Sequence, residues 1–307
     1  MELIYIMENR KNIIYRGNQL KEQEYILENQ ESFNLEHIFE CGQCFRWNKN
    51  SDGSYTGVIQ AGVIKVTKIE NKIIFKGKCS DKLELIVRDY FDLNNNYLEI
   101  KEKLAKIDDF MKISTEFGDG IRILHQDLWE CIISFIISAN NNIPRIKKII
   151  EKISEKYGNE IEFEGKKYYI FPTPEQLSKA SVEDLRKLGL GFRDKRVYET
   201  TKKVVKNEFD LEELKKSDDA NYIEEQLLTL DGVGPKVASC IMLFSLKKYD
   251  VFPIDVWVRR VMNELYIHNE NEEKVSKKII NDLAKEKFLG MAGLAQQYLF
   301  YWKRENA

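Results

Sequence analysis

The sequence predicts an α+β protein, with an antiparallel sheet in the N-terminal third followed by a mostly α-helical region. Three observations predict it. The stretch from Phe33 to Gly77 is rich in β-branched and aromatic residues and is punctuated by Gly42, Gly53, Gly57, Gly62 and Gly77. After Ser80 the apolar period changes from two to that of a helix, beginning with Leu83, Leu85, Ile86, Tyr90 and Phe91. From there helical patterns with their own start signals run almost to the end.

Within the sheet, Tyr55 to Ile59 and Val63 to Ile69 flank Gln60-Ala61-Gly62, and Asn71-Lys72 leads into Ile73-Ile74-Phe75. This reads as an antiparallel meander. Gln126 to Asn140 is an apolar helix ending in three asparagines, and Pro144 opens the next one, where its missing N–H costs nothing. Gly165 to Pro174 reads as a non-helical insert. Thr173 and Ser181 precede acidic first turns and read as N-caps. Further helices are expected near 182–188, 193–207, 218–229, 235–247, 255–266, 272–287 and 291–304. We therefore divide the chain into an N-terminal sheet domain with flanking helices, 1–118, and helical domains, 119–307.

Composition narrows the function classes. A chain of 307 residues with 43% hydrophobic and 32% charged residues reads as an ordinary globular protein with room for two or three domains. Met1 to Asn12 contains no apolar run of signal-peptide length, and nothing approaches the ~18 apolar residues of a membrane span. A cytoplasmic, nucleoid-associated location in a prokaryote, or a nucleus, is expected, with no membrane partner. Five scattered cysteines argue against a disulfide framework. Cys41-x-x-Cys44 lacks the further ligands that structural zinc needs and is read as a coincidence of spacing. The net charge is −2, so any affinity for nucleic acid must be local. Arg193, Lys195, Arg196, Lys202, Lys203 and Lys206 form one such basic stretch.

The most informative segment is Leu227 to Cys240. An amphipathic helix runs into Gly232-Val233-Gly234, and an apolar helix leaves directly after it. Glycines there let the backbone turn sharply and approach a ligand, while the helix-start amides and dipole form an anion site suited to a phosphate. Lys236 falls in the first turn of the second helix, where a cation opposes the dipole; that placement is expected to lower the amine pKa and favour a nucleophile. Pro253 forces Phe252 out of helical geometry, and Asp255, nineteen positions after Lys236, reads as a helix N-cap. Whether Asp255 is only a cap, or also faces Lys236 and a sugar, is open from spacing alone.

Gly232-Val-Gly-Pro-Lys236 followed by Phe252-Pro-Ile-Asp255 resembles the helix-hairpin-helix DNA glycosylase superfamily. Cys41-Gly-Gln-Cys-Phe-Arg-Trp47, Phe135 to Arg145, Leu188-Gly-Leu-Gly-Phe-Arg193 and Gly293 to Phe300 narrow the resemblance to the 8-oxoguanine DNA glycosylase/AP lyase family. The resemblance implies excision of oxidised guanine from double-stranded DNA by a monomer without a cofactor. It implies that Lys236 forms a Schiff base with the deoxyribose, followed by strand cleavage through β-elimination, and that Asp255 assists electrostatically. It also implies a base pocket of Gly42, Cys240, Phe244, Gln296 and Phe300, in which the Gly42 carbonyl accepts the N7 proton of the lesion. Asn140 then fills the gap in the duplex, Arg145 and Arg193 read the orphaned cytosine, Phe192 supplies a wedge, and Gly232 and Gly234 meet the backbone. The carbonyls of Leu228, Leu230 and Val233 are implied to hold a non-catalytic cation.

Trp257 and Lys303 depart from the histidine and aspartate that relatives often carry, and Phe192 from a tyrosine. Two other readings stay open: an alkylated-base glycosylase of the same superfamily, and a helix-hairpin-helix protein that binds DNA without cutting it.

Overall fold

The computed structural model describes residues 20–30 and 32–306; the expectation about Met1 to Asn12 lies outside the described residues. An N-terminal antiparallel sheet is followed by a mostly helical region, as expected. The sheet holds β1 (Lys21–Leu27), β2 (Trp47–Lys49), β3 (Tyr55–Ile59), β4 (Gly62–Ile69) and β5 (Lys72–Cys79), in the order β1-β5-β4-β3-β2. The three expected strand runs are β3, β4 and β5. Two features differ from the meander. Strand β1 lies before it and pairs with β5, and its charged, alternating sequence suits an edge. Helix α1 (Leu35–Glu40) interrupts the stretch read as strand, because the Asn34 side chain accepts the Glu36 and His37 amides and caps a short helix.

The inner face of the sheet is aromatic. Trp47 stacks on Phe39 at 4.2 Å, and its indole N–H donates to the Tyr90 hydroxyl at 2.9 Å. Helix α2 (Leu83–Tyr90) contributes Leu83, Val87 and Tyr90 to this cluster. Helices α3 (Tyr97–Ala105) and α4 (Asp109–Phe117) follow, and α4 packs against the last helix of the chain.

Helix α5 (Leu128–Ser138) is apolar around most of its circumference, as a buried helix must be. It packs against α6 (Ile143–Tyr157), whose first turn carries Pro144 behind an Asn142 cap. The expected non-helical insert is a hairpin of β6 (Glu160–Phe163) and β7 (Lys166–Tyr169). Its Ile161 and Phe163, with Ile170, cluster with Val58 and Val63 of the sheet, so it joins the two regions. Helices α7 (Pro174–Leu177) and α8 (Val182–Lys187) start on capping boxes at Thr173 and Ser181.

Helix α9 (Asp194–Val205) is followed by α10 (Leu211–Lys216), a short helix that the periodicity did not predict; Asp210 caps it. Then come α11 (Ala220–Leu228), α12 (Pro235–Phe244) and α13 (Val256–Met262), the last continuing through a π turn at Asn263–Ile267. Helix α14 (Lys277–Phe288) starts later than expected, because Ser276 is the residue that caps it and Glu272–Lys274 forms only a 3-10 turn. Helix α15 (Ala292–Glu305) closes the fold. Among the described residues no helix is long and apolar enough to cross a membrane.

Candidate active site

Helices α11 and α12 are joined by a hairpin through Gly232, whose φ of +87° is the left-handed conformation that glycine tolerates. A Cβ there would lie 2.7 Å from the Arg196 side chain. Gly234 is exposed and forms the N-cap of α12, with Pro235 at the first helical position. Lys236 follows in the same turn, half-buried, its ammonium 5.5 Å from the centre of the Phe135 ring. Phe135 stacks on Phe244 at 5.7 Å and meets Phe45 edge-on at 5.5 Å. These three rings, from α5, α12 and the sheet region, form an aromatic cluster, with the amine over its Phe135 member.

Cys240 lies one turn after Lys236 on the same face and is 3% exposed. Asp255 caps α13, its Oδ1 accepting the Val258 amide at 2.8 Å. Its other oxygen has no hydrogen-bond donor among the described residues, and although it forms no ion pair with Lys236 within 4.0 Å, its charge raises the Lys236 pKa.

The protonation of this group corrects the sequence reading, which expected a lowered lysine pKa. Negative charge at Cys240 is the largest influence, and it raises the Lys236 pKa; burial opposes it, and the Asp255 carboxylate adds to the rise. Burial in turn holds the Cys240 thiol above its ordinary range, with the Lys236 ammonium pulling the other way. Desolvation, which lowers an amine pKa, is present, and the two acidic neighbours outweigh it.

The opposite wall is the loop after α1. Gly42 has φ +90°, and a Cβ there would meet Phe300 Cε1 at 3.6 Å and Arg304 Nη1 at 3.4 Å. Three carbonyls around it are engaged by side-chain amides or a guanidinium: Glu40 by Arg304, Cys41 by Gln297 at 2.7 Å and Gln43 by Gln126 at 2.7 Å. The Gly42 carbonyl accepts no hydrogen bond from the described residues. Gln296 is 6% exposed, yet its amide makes no hydrogen bond within the described chain. It lines a small apolar cavity with Phe300, Phe252, Val258 and Met262. Gln296 and Phe300 share one face of α15, and Gly42 lies against that face.

A second group of predicted residues surrounds the end of α5. Asn140 is exposed and left-handed at φ +50°. Arg193, only 2% exposed, donates to the carbonyls of Ala139, Asn140 and Leu190, so it holds the loop that presents Asn140. Arg145 is exposed and donates to the Gly189 carbonyl at 3.2 Å. Phe192 is 54% exposed, with Arg193 and Arg196 guanidinium groups 4.2 and 5.1 Å from its ring centre.

A model of the 8-oxoguanine DNA glycosylase N-terminal domain matches residues 25–132, and one of the HhH-GPD superfamily of base excision DNA repair proteins matches 133–286. A Saccharomyces cerevisiae N-glycosylase/DNA lyase is 33% identical over 264 residues, covering 78% of this chain and 69% of that one. The Clostridium acetobutylicum 8-oxoguanine glycosylase/lyase is 43% identical. Its apo structure superposes with a TM-score of 0.85, covering 92% of this chain and 98% of that one. In complex with double-stranded DNA containing cytosine opposite 8-oxoguanine, its TM-score is 0.87, covering 94% and 99%. This chain belongs to the 8-oxoguanine DNA glycosylase/lyase family.

The family's departures at Trp257 and Lys303 have separate local settings here. Lys303 pairs with Glu264 of the π turn at 2.7 Å, while the Trp257 indole N–H is buried with no acceptor among the described residues. Within the family frame, sequence reasoning missed Gln297, which fixes the Cys41 carbonyl, and Arg304, four residues beyond Phe300 on the same helical face. Helical spacing from Gln296 and Phe300 is the signal that points to Arg304.

Proposed function

We propose that the chain excises 8-oxoguanine from duplex DNA and cleaves the strand at the same site, with Lys236 as nucleophile and Asp255 as its carboxylate partner. The observation that carries the substrate reading is the Gly42 carbonyl, left without a donor in a loop whose neighbouring carbonyls are engaged. 8-Oxoguanine carries a proton on N7, and guanine carries a lone pair there. The lesion completes the Gly42 bond, whereas guanine sets two acceptors against each other at a cost of ~1–3 kcal/mol.

The target nucleotide leaves the stack to reach this depth. Phe300 stacks on one face of the base, Cys240 and Phe244 bound the other side, and the unused Gln296 amide pairs with the Watson–Crick edge. Asn140 fills the vacated position, Phe192 wedges into the duplex, and Arg145 reads the orphaned cytosine beside the loop that Arg193 holds. Gly232 and Gly234 let a phosphate approach the start of α12.

Lys236 loses a proton, and its nitrogen attacks the sugar C1′ as the bond to N9 breaks and the base departs with the bonding pair. The Asp255 carboxylate stabilises positive charge developing on the sugar. Opening of the sugar ring gives an iminium on Lys236. Loss of a C2′ proton then expels the 3′ phosphate. The carbonyls of Leu228, Leu230 and Val233 would supply oxygen ligands to a non-catalytic cation. The Lys203 ammonium already rests on the adjacent Thr229 carbonyl at 2.7 Å and on Asp231 at 3.0 Å, which supports cation affinity in this hairpin.

The test is single-turnover cleavage of a duplex with 8-oxoguanine opposite cytosine. Lys236→Gln is expected to bind this duplex but neither release the base nor nick the strand. Wild-type rates in that variant, or wild-type protein that removes alkylated bases and ignores 8-oxoguanine, overturn the proposal.

A further inference from the structure

We propose that Arg304 is a specificity-determining residue that donates a hydrogen bond to the 8-carbonyl of the lesion; this rests on the reading of Gly42 given above. Three observations converge on it. First, Arg304 extends the face of α15 that carries Gln296 and Phe300, in steps of four residues. Second, its Nη2 donates to the Glu40 carbonyl and its Nε to Glu305, which orients the guanidinium across the end of α1. Third, the remaining nitrogen, Nη1, has no acceptor among the described residues and lies 3.4 Å from the point where a Gly42 Cβ would be. The guanidinium centre lies over the Phe300 ring, 5.7 Å from its centre, so this donor adjoins the stacking surface.

The base itself makes the match. In 8-oxoguanine the protonated N7 and the C8 carbonyl are adjacent, a donor beside an acceptor. Gly42 offers an acceptor and Arg304 Nη1, close to the Gly42 backbone, a donor, the two complementary groups that this edge requires. Guanine presents a lone pair at N7 and a C–H at C8, so it fails both contacts. Arg304 therefore reads the oxygen that oxidation adds, and Gly42 reads the proton that accompanies it. A planar guanidinium suits this task, because two of its nitrogens are held by the protein while a third stays directed at the ligand.

The experiment compares affinities for duplexes containing 8-oxoguanine, 8-thioxo-7,8-dihydroguanine or guanine, each opposite cytosine, in the full chain carrying Lys236→Gln. The thioxo base keeps the N7 proton and replaces the 8-oxygen with a weak sulfur acceptor. The Lys236→Gln protein is expected to favour oxo over thioxo by about tenfold, the loss of one charge-assisted bond. Adding Arg304→Ala or Arg304→Lys is expected to bring the two affinities within about twofold, as a residue-by-atom cycle requires when the contact is removed. Lysine keeps the charge and can hold the Glu40 carbonyl, but it cannot address two acceptors in fixed directions; it also covers the case in which the alanine variant fails to fold. A purely structural Arg304 lowers both affinities alike, and an unchanged oxo preference in both variants overturns the inference. If Lys236→Gln alone does not prefer 8-oxoguanine to guanine, the reading of Gly42 fails instead.

Discussion

Gln296 and Gln297 are neighbours in α15 and both are buried, yet only Gln297 uses its amide inside the protein, donating to the Cys41 carbonyl at 2.7 Å. Gln297→Ala is expected to destabilise the fold by ~1–3 kcal/mol, because it leaves a buried carbonyl unpaired. Gln296→Ala is expected to destabilise less than Gln297→Ala, because no internal hydrogen bond is lost, while weakening lesion binding about tenfold. Chemical denaturation and binding titrations on the two variants check this; equal effects on both readouts contradict it.

The raised Lys236 pKa predicts a rate that climbs with pH as the amine loses its proton. Cys240 is the largest influence raising that pKa, so Cys240→Ala is expected to move the midpoint of the climb to lower pH. The pH dependence of single-turnover base release reads it. A midpoint that stays in place, or moves upward, refutes the assignment.

Arg145 and Arg193 separate by burial. Arg193→Ala leaves the Ala139, Asn140 and Leu190 carbonyls without its N–H groups, and is expected to cost at least ~2 kcal/mol of stability. Exposed Arg145→Ala is expected to leave stability unchanged and to reduce discrimination for cytosine opposite the lesion about tenfold. Excision measured opposite each of the four bases tests the second part, and melting the first.

Burial pushes the Glu130 carboxyl up to about 7, with Arg46 opposing and Asp127 and Glu151 adding to the rise. The folded state therefore binds this proton more tightly than the unfolded state does. The stabilisation is full below the ordinary carboxylate range and is lost as pH rises towards 7. Glu130→Gln is expected to raise the melting temperature at pH 8 more than at pH 4. Equal shifts at the two pH values argue against it.

Much of this architecture was readable from local chemistry. The strands β3 to β5, the Asn142-Pro144 start of α6, and the hairpin ahead of Lys236 each carry a turn or capping residue at a fixed place. Helix α1 was not readable, because six residues make too few turns for a period and its cap, Asn34, lies within a strand-like composition. Strand β1 is charged and finds its register only by pairing with β5, some fifty residues away. At the site, the local chemistry singled out Lys236, and the family resemblance added the roles of Asp255 and Gln296. Neither could tell that Arg193 is buried against backbone, that acidic neighbours raise rather than lower the lysine pKa, or that Arg304 meets Gly42. Those facts depend on contacts between segments distant in sequence, from about fifty residues for Arg193 to more than two hundred for Arg304, or on the balance of several charges.

The most direct test of the central claim is to treat the wild-type protein with borohydride in the presence of an 8-oxoguanine duplex and to map the modified peptide by mass spectrometry. A stable protein–DNA adduct carried on Lys236 is the predicted result. An adduct on another amine, or base release and strand cleavage with no trapped adduct, contradicts it.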